Sequence, residues 1–360
     1  MRVLSTGLDT LNLAAKGVVR SEVWDLLAEA KRRAQDVEEA DPVDFPVTGH
    51  AFLLRPYGVR GYTYWLSSPD FELMLGTSQR FPSGLVQLHS AYLHSVGLDY
   101  ALRLLEELLR HDLFAGTYEL TVSRVDLYAD VQGWSPELSD LRRFVGFGRH
   151  RRGFQEREEA YLSGARLTGF MFGKAALVGR IYDKTVEIQR HGVSWLPDLW
   201  GTDGRREPVW RIEFQYRREA LTDFNLRGID DVLASLQDLW RYATVEWLSL
   251  RKPTSDRRQR RWPVDPIWEQ IRAIRIAPAM TGVVRRRLEE ADELKLLQGL
   301  QGYATSLAAR RDHQQLGDAL EDFGTLVSRY LASRGRQFTE EVRRKQAHQL
   351  GVTAFLDDVS

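Results

Sequence analysis

The chain has 360 residues, enough for two or three domains at roughly 100–200 residues each, and 43% of them are hydrophobic, enough for a sizeable core. The absence of cysteine excludes disulfides, thiolate chemistry and zinc-finger ligation, and the 50 acidic residues balance the 50 basic ones, so no global basic surplus argues for nucleic acid. No apolar run approaches the ~20 residues of a membrane span, and Met1–Thr6 holds no apolar leader run, so a cytoplasmic protein with no membrane partner is expected. The basic set is skewed: seven Lys stand against 43 Arg. A GC-rich coding composition accounts for such a bias, and the planar guanidinium also suits phosphate and stacked bases.

In chain order, Thr10–Ala14 reads as a strand. Ser21 then opens an amphipathic helix with Val23, Leu26, Leu27, Ala30 and Ala34 on one face. Gly61–Leu66 and Leu85–Leu93 read as paired strands, and Gly97-Leu98-Asp99 starts a helix carrying Leu102, Leu105 and Leu108. The same succession returns later: Arg124–Asp130 as a strand, and Ser135-Pro136 opening a helix with Leu138, Leu141, Phe144 and Val145 inward. Gly179–Lys184 then corresponds to Gly61–Leu66, Val209–Arg217 to Leu85–Leu93, and Gly228-Ile229-Asp230 with Leu233, Leu236 and Leu239 to the closing helix. The expected fold is α+β, with two duplicated β-α-β-β-β-α units related by a pseudo-twofold. The first spans 1–115 and is non-catalytic; the second spans 116–250 and is catalytic. A basic linker over 251–262 leads to an α-helical C-terminal domain over 263–360, with Leu288, Ala291 and Leu294 on one stripe and Leu316, Leu320, Phe323 and Leu331 on another.

Residues two apart on a strand share a face. In the second unit one face collects Arg124, Asp126, Tyr128 and Asp130 from one strand, Arg211, Glu213, Gln215 and Arg217 from another, and Arg180, Tyr182 and Lys184 from a third. Antiparallel sheets commonly have a solvated face, but carboxylates beside a tyrosine and several Arg form a chemical set. Carboxylate oxygens ligate hard cations such as Mg²⁺ or Mn²⁺, a tyrosine hydroxyl can attack phosphorus, and Arg and Lys hold phosphate. The corresponding first-unit positions, Asn12, Tyr64 and Leu88-His89, lack the carboxylates. Arg257, Arg258, Arg260 and Arg261 in the basic run read either as a solvated linker or as phosphate contacts. Trp195 and Trp200 fit burial at a junction better than base stacking, and the charged stretch from Arg149 to Glu159 fits a hairpin near DNA.

Three segments together, Ser123–Asp130, Thr168–Lys174 running to Arg180-Ile-Tyr-Asp-Lys-Thr-Val-Glu187, and Trp210-Arg-Ile-Glu-Phe214, resemble the successive motifs of the replication initiation factor family. That family includes rolling-circle plasmid initiators of the Rep-trans type and related conjugative-element relaxases. The resemblance covers roughly residues 5 to 265. It implies a site-specific nickase and strand transferase that cuts one strand through a tyrosine, stays on the 5′ phosphate and religates. Carried onto this chain, Tyr182 becomes the nucleophile, with Tyr128 and Tyr216 as alternatives. Asp126 and Glu213 become ligands for Mg²⁺ or Mn²⁺, seconded by Asp130 and Glu187. Arg180, Lys184 and Arg211 become phosphate contacts, with Arg180 and Lys184 expected to favour the phenolate; Arg124 and Arg217, on the same face, are expected to bind DNA as well. The partners implied are origin duplex and single-stranded DNA, a helicase and a second copy of the chain. The competing reading is a non-catalytic DNA-binding replication or regulatory protein. Neither a His-hydrophobic-His motif nor a His-x-x-Arg occurs, which disfavours the other tyrosine-dependent strand-cutting families.

Overall fold

The computed structural model describes residues 1–360 except 60, 69, 147–157, 164, 165, 192, 194, 203, 205, 277–299, 302, 303, 306, 312, 334, 340, 341 and 343–360. The strands are β1 (Arg2–Val19), β2 (Asp41–Asp44), β3 (Ala51–Leu54), β4 (Tyr64–Ser67), β5 (Phe71–Leu75), β6 (Gly84–His89), β7 (Phe114–Gln132), β8 (Phe144–Gly146), β9 (Glu158–Ser163), β10 (Arg166–Phe172), β11 (Leu177–Asp183), β12 (Trp210–Arg217) and β13 (Leu248–Leu250). The helices are α1 (Ser21–Val37), α2 (Ser90–Val96), α3 (Leu98–Leu108), α4 (Lys184–His191), α5 (Trp195–Trp200), α6 (Arg218–Asp223), α7 (Ile229–Ala234), α8 (Leu236–Arg241), α9 (Pro266–Arg272) and α10 (Leu316–Ser333). No helix among the described residues is long and apolar enough to cross a membrane.

Eleven strands form one antiparallel sheet in the order β2-β3-β4-β5-β6-β1-β7-β12-β11-β10-β9. The two long strands β1 and β7 lie side by side at its centre, paired from Arg2↔Gln132 to Val19↔Phe114. One face is the core. Leu11 and Leu13 of β1, Val125, Leu127 and Ala129 of β7, Ile181 of β11, and Ile212, Phe214 and Tyr216 of β12 are all fully buried on it. Helix α1 packs through Val23, Leu27, Ala30 and Ala34, and α3 through Leu98, Ala101, Leu105 and Leu108.

Several expected elements are corrected. Counting outwards, β12 and β11 flank β7 as β6 and β5 flank β1. The strand holding Tyr64 is therefore one place further out than the strand holding Tyr182, and Gly61–Leu66 is not its positional counterpart. The helix expected from Ser135 is only a 3₁₀ turn over Leu138–Arg143, capped by Glu137 and Asp140. The aromatic and β-branched pair Phe144-Val145 then leaves it to join β8, which pairs with β13. The strand from Leu85 stops at His89 and continues as α2. The stripe at Leu288, Ala291 and Leu294 lies outside the described residues, as does Arg149–Arg152. Leu316, Leu320, Phe323 and Leu331 do fall within one helix, α10.

The segment after β13 belongs to the body. Arg251 bridges to Val264, and the α9 side chains Trp268 and Ile271 are fully buried in the main core. Trp268 stacks edge-on against Phe144 at 5.7 Å and donates its indole N–H to the Thr244 carbonyl at 2.9 Å. Phe144 in turn meets Phe172 at 4.7 Å, on the core side of β10. Arg257, Arg258, Arg260 and Arg261 are exposed on the loop between β13 and α9. A chain ending at residue 262 loses both α9 anchors, and burying a Trp and an Ile contributes several kcal/mol, on the order of 5 together. Urea unfolding should show a chain ending at Ile276 close to the full-length midpoint and one ending at residue 262 far below it. Equal midpoints would show that α9 is not part of the core.

Candidate active site

The polar face is built where β7, β12 and β11 run side by side, with Asp130 opposite Arg211 and Arg211 opposite Tyr182. Strand alternation turns Arg124, Asp126, Tyr128 and Asp130 to this face, while Val125, Leu127 and Ala129 fill the core. Arg211 is fully buried and lies between two carboxylates. Its Nε and Nη2 donate to Asp130 at 2.7 and 2.8 Å, and its Nη1 donates to Asp9. The guanidinium also covers the Tyr128 ring, 4.0 Å from its centroid. Asp9 arrives from β1 through a register shift between Leu8 and Thr10: one extra residue lets Leu8 and Leu11 both face the core. Burial opposes the charge of Asp9, and Arg211 and Lys184 overcome it, leaving its carboxyl below the usual range.

Beside this cluster the Tyr182 hydroxyl donates to Glu213 at 2.9 Å, and Arg180 donates to the other oxygen of Glu213, also at 2.9 Å. Glu213 is 5% exposed, whereas Tyr182 and Arg180 are half-buried. Gly169 lies opposite Tyr182, and a Cβ there would stand 2.9 Å from the Tyr182 Cβ and 3.0 Å from the Ile181 carbonyl, so the glycine lets β10 approach β11 closely beside the tyrosine. Burial first, and the Glu213 carboxylate second, push the Tyr182 phenol well above its ordinary pKa. The expected stabilisation of a phenolate by Arg180 and Lys184 is therefore not what the site provides at rest. Arg180 is engaged by Glu213, and Lys184 pairs with Glu187 at 2.6 Å while its ammonium sits 5.5 Å over the Tyr182 ring. Lys184 is also not a strand residue: Asp183 ends β11 and accepts from the Val186 amide at 3.2 Å, opening α4.

Helices α2 and α5 lie over one end of the face. His94 meets the Tyr128 hydroxyl at 2.8 Å, and Trp200 donates to Asp130 at 2.8 Å. Ser5 donates to Asp130 at 3.0 Å. Trp195 and Trp200 are buried here in a small apolar cluster with Ile188, Leu196 and Val209. Asp9, Ser5 and His94 come from the first half of the chain and were not legible as site residues. The trace of Asp9 in the sequence is that it is the one acidic residue of β1.

The expected metal ligands do not fit a metal as they stand. Asp126 accepts from Arg124 Nε at 2.8 Å, Asp130 holds Arg211, Glu213 holds Arg180 and Tyr182, and Glu187 holds Lys184. Each carboxylate is committed to a cation, and no group of three or more acidic or His side chains among the described residues is arranged to hold a metal. Arg211, fully buried and bound between Asp9 and Asp130, is no phosphate contact, because no part of its guanidinium reaches the surface. Arg124, Arg180 and Arg217 remain at least partly exposed. Of the alternative tyrosines, Tyr216 faces the core and donates to the Leu239 carbonyl at 2.6 Å, and Tyr128 is fully buried beneath Arg211.

No family model matches the sequence. The uncharacterized protein ORF430 of Pseudomonas phage Pf1 is 26% identical over 290 residues, which cover 68% of this chain and 63% of that protein. The match thus takes in less than two thirds of the phage protein's length. Among solved structures, a rolling circle replication initiator protein from Geobacillus stearothermophilus is similar over 76% of this chain and 98% of its own, at 16% identity and a TM-score of 0.42.

The buried groups around the site make stability depend on pH. Burial pushes His89 and His94 down to about 4 from 6.5, with Arg211 adding to the effect at His94, and burial lowers His50 as well. Between pH 6.5 and 4 these groups bind protons more readily in the unfolded chain. Their contribution is intact above 6.5 and lost as pH falls through that window. Asp126 has the opposite sign: burial, only partly offset by Arg124, raises it to about 6, so it regains stability on acidification between 6 and 4. Glu72, likewise raised by burial, acts in the same direction as Asp126. Three histidines against two carboxylates leave a net loss, on the order of 1 kcal/mol per pH unit at most. Urea midpoints measured at pH 7, 6 and 5 should fall in that order, and His94→Gln should flatten the fall. A midpoint that holds or rises on acidification contradicts this.

Proposed function

We propose that the chain is a rolling-circle replication initiator that nicks one DNA strand through Tyr182 and religates by strand transfer. The observation that carries this reading is the hydrogen bond from the Tyr182 hydroxyl to the buried Glu213 carboxylate, set between Arg180 and Lys184 on a half-open face. A nucleophile in contact with its base is what covalent catalysis at a phosphodiester requires. A phenol with a raised pKa is not stored as phenolate, so its proton has to leave during attack. Glu213 takes it as the Tyr182 oxygen bonds to phosphorus and the P–O3′ bond breaks; the released 3′ oxygen takes up a proton. Arg180 and Arg124, half-buried at the same face, hold the phosphate oxygens. The phosphotyrosine keeps the energy of the cut linkage, and attack by a 3′-hydroxyl reverses the step.

The placement of strands on either side of β1 and β7 supports two duplicated units, 1–115 and 116–250, of which only the second carries chemistry. On this reading the first unit supplies Asp9 and a surface for DNA, and the helices beyond Ile276 serve origin affinity, pairing of two copies or a helicase. The alternative, a binding protein without chemistry, lacks a reason for a tyrosine hydroxyl aimed at a carboxylate.

Tyr182→Phe removes one oxygen and should bind single-stranded DNA like the wild type while forming no covalent adduct. Glu213→Gln should slow adduct formation by about 10²–10⁴-fold, the usual contribution of a general base. Both are to be measured with labelled oligonucleotides from the replicon, with Mg²⁺ and Mn²⁺ supplied in parallel, and the adduct located by peptide mapping. Attachment at Tyr128 or Tyr216 refutes the nucleophile assignment. Binding without any adduct in the wild type favours the binding protein.

A further inference from the structure

The polar face continues beyond the candidate active site into the first half of the chain, where it contains a cavity of about 380 Å³. The cavity lies between β1, β6 and β7 and is lined by Ala14, Lys16, Tyr62, Leu85, Thr121 and Arg218, among others. Its place in the sheet matters. On β7 and β12, Asp126 stands opposite Gln215, and two residues on Tyr128 stands opposite Glu213. On β1 and β6, Asn12 stands opposite Gln87, and two residues on Ala14 stands opposite Leu85. Where one half of the face is filled by a tyrosine, a glutamate and the ion cluster beside them, the other half has a methyl group and a leucine, and a hollow results.

The lining has the make-up of a nucleotide site. Ala14, Leu85 and Pro82 give an apolar floor, and Tyr62, 6% exposed, provides an aromatic ring. The hydroxyl of Thr121 and that of Ser123 border it, Ser123 donating to the Asn12 carbonyl at 3.1 Å. Lys16 is exposed, and Arg218 spends Nη1 on the Val122 carbonyl at 2.9 Å. Neither cation meets a carboxylate at ion-pair distance among the described residues, although Glu119 also lines the rim. The volume lies in the range of small-ligand pockets, roughly 300–1,000 Å³. A base stacked in an apolar slot with its phosphate on a nearby cation is how single strands are held without regard to sequence.

We infer that this cavity takes one unpaired nucleotide of the DNA strand whose cut is assigned to Tyr182, the base against Tyr62 and Leu85 and the phosphate on Lys16 and Arg218. The inference rests on the DNA reading proposed above. Along β7, Thr121 and Asp130 are nine residues apart, about 30 Å at the rise of a strand. The nucleotide is therefore held away from the scissile phosphate, several positions along the strand.

The test uses the full chain and a single-stranded oligonucleotide bearing one photoreactive thymine analogue, moved position by position. Cross-links should map to the peptides around Tyr62 and Leu85 at one spacing from the cut. Ala14→Leu, which fills the cavity, and Lys16→Glu, at an exposed position, should each weaken single-strand binding about tenfold. Lys16→Glu should also lower the salt dependence by about one phosphate contact. Wild-type affinity in both variants, with no cross-link at these peptides, overturns the inference whether or not a Tyr182 adduct forms. Cross-links and weakened binding without any adduct uphold the inference and sink the nickase instead. Titration with dTMP and ATP separates the other source of the same chemistry: saturable binding of a free nucleotide, blocked by Ala14→Leu while the oligonucleotide is unaffected, overturns the assignment to the strand.

Discussion

A guanidinium with no exposure has to be neutralised where it lies, and Arg211 is neutralised by residues that arrive from two strands more than a hundred residues apart in sequence. Asp9 comes from β1 and Asp130 from β7, and the Tyr128 ring closes one face of the guanidinium. Burying a charge costs several kcal/mol, recovered only when the partners are in place. Burial alone would weaken the hold of Arg211 on its proton; the two carboxylates more than reverse that and hold its pKa well above the ordinary value. The cluster therefore fixes the register of the two central strands against β12. A slip by one residue between β12 and β7 would leave Arg211 unpaired and turn Glu213 into the core. The position of Tyr182 follows, because β11 is registered on β12 through Arg211.

The alternation that made this face legible is a local property. Arg124-Val-Asp-Leu-Tyr-Ala-Asp130 and Arg211-Ile-Glu-Phe-Gln-Tyr-Arg217 write their two faces in the sequence, because every second residue must be apolar to fill a core on one side only. Tyr182, Arg180 and Glu213 were read as neighbours on that basis, and they are. Which carboxylate takes which cation is not local. It depends on the register between strands far apart in sequence, and Asp9 reaches the cluster only because a bulge interrupts the alternation of β1. A free metal site was therefore expected where each of the four candidate carboxylates is paired with a cation.

Other misreadings have the same origin. The segment after Ser135 has helical spacing, but Phe144 and Val145 find a partner in Leu248–Leu250, a hundred residues on, and become a strand. The basic run from Arg251 looked like a linker by composition, yet Trp262 donates to the Asp256 carbonyl at 2.6 Å and α9 buries Trp268 beneath it. Composition reports the solvent side of such a segment and is silent about the few anchors that tie it down.

The ion pairs also bear on how a site whose described cations are engaged by carboxylates could hold a polyanion. Arg180 and Arg124 are both half-buried, and each is bound to a carboxylate that is almost fully buried. A phosphate approaching from solvent competes for the exposed N–H donors of those guanidiniums without requiring them to leave the sheet, since Arg carries five donors and a carboxylate occupies at most two. On the proposed reading, charge shared with the phosphate loosens the hold of Arg180 on Glu213 and leaves that carboxylate free to accept from the Tyr182 hydroxyl. In the unliganded protein the same carboxylate is restrained by Arg180 and the phenol is kept neutral by burial. On the proposed reading, the nucleophile is thereby inactive until the substrate itself supplies the counter-charge, so the ion pairs that keep the empty face stable also confine attack to a bound phosphate.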